Sequence, residues 1–184
     1  MDKQLNEIIT EVCNSSLRAS IITAAAVIDA TLKQLIEAFL IENSESLKLF
    51  DATGCLGTFS SKIKMAYALG LISEELYTDI DSYRVIRNKC AHNLTLDEST
   101  LQSITDKAKN FKLIHSCFSM NNFESVKAYT TIEFAIILIA LTKHITNIER
   151  CNVCPYEYDS GNLTFDQKDW EYFNNFSNNY NHKK

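Results

Sequence analysis

The stretch "YRVIRNKCAHN", Tyr83 to Asn93, gathers an arginine, an asparagine, a lysine, a cysteine and a histidine between Arg87 and His92. Side chains of these types can cut or hold a phosphodiester. An imidazole that titrates near neutrality exchanges protons with a ribose 2′-hydroxyl or a leaving 5′-oxygen. A guanidinium stays charged and matches phosphate oxygens in pairs. Read for chemistry, Arg87, Asn88 and His92 are the catalytic candidates of a metal-independent ribonuclease. Read for structure, they are a polar helix end. Arg87 and Asn88 would hydrogen-bond carbonyls or carboxylates such as Asp79, Asp81 or Asp97, and His92 would sit at the negative end of a helix dipole. Geometry weighs between the two. Asn88 and His92 are four apart and share a helix face, whereas Arg87 and His92 are five apart, about 140° around the axis. Catalysis therefore needs a distorted helix end or a second protomer, and the scaffold reading needs neither.

Around this stretch, "SSKIK" adds Lys62 and Lys64 to Arg84, Arg87 and Lys89, a modest basic patch for nucleic acid that a solvated face explains equally well. "CNVC", Cys151 to Cys154, has the spacing of half a zinc knuckle or a redox pair. No second CxxC or HxxxH follows it, and His144 and His182 stand alone, so two thiols at a helix end are expected and no metal site. "TGCLGTF" lacks the GxxxxGK[ST] pattern of a phosphate loop. No motif calls for a cofactor.

Residues so placed need helices to position them. The 184-residue chain has only four glycines and one proline, Pro155, too few punctuators for many tight hairpins, and no convincing alternation of apolar and polar residues. The fold class expected is all-α, a single-domain bundle of about six to seven helices over residues 1–150, with an aromatic, Asn-rich extension over 151–184. Leu5, Ile8, Ile9 and Val12 mark a short first helix, with "CNSS" as a break or a kink. Leu17 to Phe39 repeats at three- and four-residue spacing, so a long second helix should end near Asn43. Thr58 or Ser60 caps a helix that Gly70 stops, and Ser73 caps the one that ends in the motif. Asp97 begins another, and Asn122 caps an apolar helix over Phe123 to Ile148. In the extension, Phe165, Asp166 and Trp170 have the spacing of a hydrophobic staple, which predicts a helix over Gln167 to Phe176 and a disordered end. Apolar residues spread along "SKIKMAYALGLISEELYTDI" speak against a helix-turn-helix reader.

A net charge of −5 argues against a broad phosphate-binding face. Six scattered cysteines in a chain large enough for its own core fit a reduced, cytoplasmic protein. The longest apolar run, "FAIILIAL", is far short of the roughly 20 residues that span a membrane, so a buried helix and no membrane contact are expected. The start, "MDKQLNEIITEVC", does not read as a signal peptide.

The segment "LFDATGCLGTFSSKIKMAYALGLISEELYTDIDSYRVIRNKCAHN" is similar to the central block of the mannitol operon repressor family. "GxLGTFSxKIxxAYALGLI" and "IRNxxAH" are matched in order by Gly54 to Ile72 and by Ile86 to His92, with Cys90 where a larger apolar residue often stands. The resemblance implies an all-α transcriptional regulator without a recognised DNA-binding motif, working through protein partners or weak local DNA contacts. Within the same block, "RNKCAH" resembles the Rx4H motif of the HEPN superfamily, whose catalytic members join the arginine and histidine of two protomers in one composite site. That second resemblance implies a homodimer acting on RNA, with Arg87 and His92 at the scissile phosphate and Asn88 beside them.

Overall fold

The computed structural model describes residues 3–117 and 125–152. They form eight helices: α1 (Lys3–Asn14), α2 (Leu17–Phe39), α3 (Ser44–Lys48), α4 (Phe59–Ala68), α5 (Glu74–His92), α6 (Glu98–Ala108), α7 (Lys112–Cys117) and α8 (Val126–Asn147). No strand occurs among the described residues. All of them except Asn152 belong to one unit, Met1–Cys151. The expected helix over Gln167–Phe176, Asn122 and Phe123 lie outside the described residues.

The centre is α2, whose stripe Ile21, Ala24, Ala25, Ile28, Leu32, Leu35 and Ile36 is buried. It packs against α8 most extensively, and also against α1, α4 and α5. The apolar run expected to be a buried helix lies inside α8, and its Phe134, Ile137, Leu138 and Leu141 are buried. A count of contiguous apolar residues understates both helices: α2 and α8 are each long and apolar enough to cross a membrane by length and composition, yet here they pack on each other.

Local signals set most helix ends. "CNSS" is a break, because Ser16 is the N-cap of α2 and its hydroxyl accepts from Ala19 N–H. Thr58, not Ser60, caps α4, in a capping box closed by Ser61. At the far end Gly70 takes φ 69°, Gly70 N–H donates to Tyr67 O, and Leu71 N–H donates to Ala66 O, both at 2.9 Å. That pair of bonds is a Schellman motif, and its φ favours glycine. The loop before α4 has a different demand. A methyl on Gly54 would lie 2.4 Å from the Leu49 carbonyl oxygen, and one on Gly57 would lie 2.4 Å from that of Asp51. The backbone folds onto itself so closely that a side chain has no room, and Leu56 is buried as its apolar anchor. The matched segment from Gly54 to Ile72 thus builds a loop, a capped helix and a turn.

Three boundaries differ from expectation. α2 stops at Phe39 because Leu40 is extended at ψ 155°, and Asn43 instead caps the short α3 by accepting from Ser46 N–H. α8 starts at Val126 behind Ser125, whose hydroxyl accepts from Ala128 N–H. α7 follows Phe111 with no sequence-local cap, since its first amides are held by carboxyls from α5 and α8. The chain leaves the unit tied down, with Cys151 N–H donating to Phe39 O at 2.7 Å.

Candidate functional site

α5 begins at Ser73, whose hydroxyl accepts from Leu76 N–H, with Glu74 and Glu75 in the positive first turn. Its buried stripe is Leu76, Asp79, Ile80, Tyr83, Ile86 and Cys90. The motif rides on the remaining faces. Arg87 flanks the stripe, half-buried, and Nη1 donates to Asn88 Oδ1 at 3.1 Å. His92 is the last residue of the helix, exposed, and its ring makes no hydrogen bond or ion pair among the described residues. The helix is regular to its end, closed by Asn93, whose side chain and backbone N–H both donate to Lys89 O. Among the described residues Arg87 is therefore hydrogen-bonded to Asn88, and neither is hydrogen-bonded to the His92 ring. None of the three carboxylates expected near Arg87 meets it: Asp81 accepts from Arg84 at 2.8 Å, Asp97 caps α6, and Asp79 is turned inward.

The five basic residues read as a patch are unequally available. Lys62 is 6% exposed, with Nζ 2.9 Å from Asp29 Oδ1. Arg84 is paired with Asp81, and Lys89 donates to Ser103 on α6. Lys64 is exposed, and Arg87 is half-buried. Beside them Arg18 of α2 donates to Leu94 O at 3.1 Å, fixing the loop after α5, where the Leu94 side chain stands 97% exposed. Neither the cleft of about 220 Å³ beside Glu42 and Arg150 nor the one of about 230 Å³ beside Leu71 and His144 includes Arg87, Asn88 or His92.

Sequence reasoning missed a second polar cluster, inside the bundle. Asp79 of α5 and Glu133 of α8 are both 0% exposed. Asp79 accepts Lys112 N–H at 2.9 Å on Oδ1 and Leu113 N–H at 2.7 Å on Oδ2, and Glu133 Oε2 accepts Ile114 N–H at 3.1 Å. Burial, and then the Asp79 charge beside it, pushes the Glu133 carboxyl up to about 9. Burial pushes Asp79 up as well, opposed by the two amides. The Tyr83 hydroxyl is raised above the usual phenol range by burial and then by Cys90 and Glu133, and it is buried without a hydrogen-bond partner among the described residues. The signal was present: Asp79 and Glu133 fall on apolar stripes, where an acid is anomalous. Among the described residues no three His, Cys, Asp or Glu side chains converge as a metal site would require. Cys13, Cys55, Cys90 and Cys151 are free thiols, and Cys154 lies outside the described residues.

The fold and the α5 end define a small all-helical protein built on one central helix, with a polar helix terminus on its surface. The model of a family described as "MtlR: Mannitol repressor" matches residues 4–145. The chain belongs to the mannitol repressor family, and so to its regulators. Its fold is also similar to a chain in the X-ray structure of the MtlR–HPr complex from Escherichia coli, with a TM-score of 0.60 and 16% identity over 77% of this chain and 99% of that one. No curated protein matches this chain.

Proposed function

We propose that this chain is a cytoplasmic transcriptional regulator that acts through a protein partner of the HPr kind rather than through a broad DNA-binding face. The observation that carries the reading is the family match over residues 4–145, joined to a fold likeness with a chain from a complex that contains HPr. Charge supports it. The chain is net −5, and Lys62, Arg84 and Lys89 are engaged by Asp29, Asp81 and Ser103, which leaves little of the basic patch for phosphates. Titrating the purified full chain with HPr from the same organism by calorimetry is expected to give saturable binding, while a mobility shift on its operon's upstream region alone should be weak and salt-sensitive. No heat with HPr, together with a tight sequence-specific shift, would replace the partner reading with direct operator binding.

A second reading keeps Arg87 and His92 as a ribonuclease pair, on the single observation that His92 is exposed and unengaged among the described residues. It requires a homodimer, because α5 separates the two side chains around its axis. Labelled RNA incubated in chelator with the wild type, Arg87→Ala and His92→Ala separates the cases. Cleavage lost in both variants supports this reading, and equal cleavage in all three identifies a contaminant.

A further inference from the structure

We propose that Asp79 and Glu133 share one proton and that this proton latches α7 against α5 and α8, making the seating of α7 a pH-sensitive step built into the fold. The geometry is a three-helix junction. Two carboxyls from α5 and α8, both fully buried, receive the first three amides of α7 in succession, so α7 is held at its start by side chains more than by its own sequence. Two anions side by side in the interior repel strongly, and neither carboxyl has a cation in an ion pair with it among the described residues. One proton relieves the repulsion and supplies a hydrogen bond between the carboxyls.

The placement of that proton follows from the acceptors. Both oxygens of Asp79 take amide hydrogen bonds, which favour its anion, while Glu133 Oε1 is buried and meets no donor among the described residues. An oxygen that carries its own proton needs none. Glu133 therefore holds the proton and donates it to Asp79, while its Oε2 accepts from Ile114. The groups that act on this pair are few: Asp79 and the Ile114 amide on Glu133, the Lys112 charge on Asp79, and Glu133 and Cys90 on the Tyr83 hydroxyl. Nothing from α1, α2 or α6 figures among the causes acting on Glu133. Ionising Glu133 puts a second negative charge against Asp79, with only the Lys112 charge acting on Asp79 to offset it, and unseating α7 lets water reach both. Since α7 packs on α5, the helix that presents Arg87 and His92, the support of that surface changes with it.

Hydrogen exchange on the full chain between pH 6.5 and 9.5 tests this, with each rate corrected for intrinsic exchange and referred to α2. Protection of the Lys112 to Ile114 amides is expected to fall by about tenfold per pH unit as the pH rises toward about 9, where unseating α7 releases the Glu133 proton, and to level off above it, whereas in Glu133→Gln, whose amide still donates to Asp79, it stays level throughout. Wild-type protection that parallels α2 at every pH, or an equal fall in the variant, overturns the latch. Carbon-13 NMR of the Glu133 side-chain carboxyl in the wild type gives a check that needs no variant: a midpoint above pH 7 supports the shared proton, and one near 4.5 removes it.

Discussion

Glu133 remains protonated to about pH 9 in the folded chain, against 4.5 for an ordinary glutamate. Between those values the unfolded chain has lost a proton that the native one keeps, so unfolding releases a proton and stability falls as the pH rises, by about 1.4 kcal/mol per pH unit. Asp79, also raised, acts in the same direction. Asp97 acts in the opposite one: hydrogen bonds from Thr100 and Ser99 lower it, so its contribution is present above the unfolded value and lost as the pH falls. Urea denaturation at pH 5.5 and 8.5 should show a smaller loss of stability across that interval in Glu133→Gln than in the wild type, and equal losses would contradict the assignment. Tyr83→Phe removes a buried hydroxyl that has no partner among the described residues while leaving the ring stacked on Phe111. Its unfolding free energy should stay within about 0.5 kcal/mol of the wild type or rise, and a clear loss would reveal a hydrogen bond at that hydroxyl.

At the scale of elements, what the sequence disclosed tracks where the information sits. Ser73, Thr58, Asp97 and Gly70 announce helix ends because a cap acts on residues three or four positions away. α7 gave no such sign, since its caps stand at Asp79 and Glu133, more than 30 positions before Lys112 and about 20 after. Likewise the 140° between Arg87 and His92 was legible from helical arithmetic, whereas the withdrawal of Lys62 onto Asp29 depended on how α4 meets α2. The glycines separate two costs that look alike in sequence. Gly70→Ala adds a methyl into open space at φ 69° and should cost about 1 kcal/mol. Gly54→Ala drives a methyl against two backbone carbonyls, 2.4 and 2.5 Å away, and should cost more, about 2–3 kcal/mol. Melting the two variants side by side checks the order, and a more stable Gly54→Ala would mean that the loop before α4 yields readily.

For the whole molecule, the question is which part of the matched motifs the fold consumes. Gly54, Leu56, Thr58, Gly70 and Ile86 are consumed by loop, cap, turn and core, but no side chain among the described residues hydrogen-bonds or pairs with the exposed His92 ring. His92→Ala should therefore leave the melting temperature unchanged within about 1 °C, so that any loss of partner binding or RNA cleavage in that variant reports on the surface and not on folding. A shift of several degrees would place the ring in the scaffold after all. The central position of α2 has a further consequence, one that concerns the chain while it is being made. α2 is complete at Phe39, but α8, against which it packs most extensively, starts only at Val126. At about 5–20 residues per second, the ribosome leaves the Ile21 to Ile36 stripe without its main cover for roughly 5–20 seconds. During that interval the nascent chain presents a long apolar helix to whatever is near, so its yield in a cell should depend on holdase capacity and elongation rate more than its finished stability would indicate.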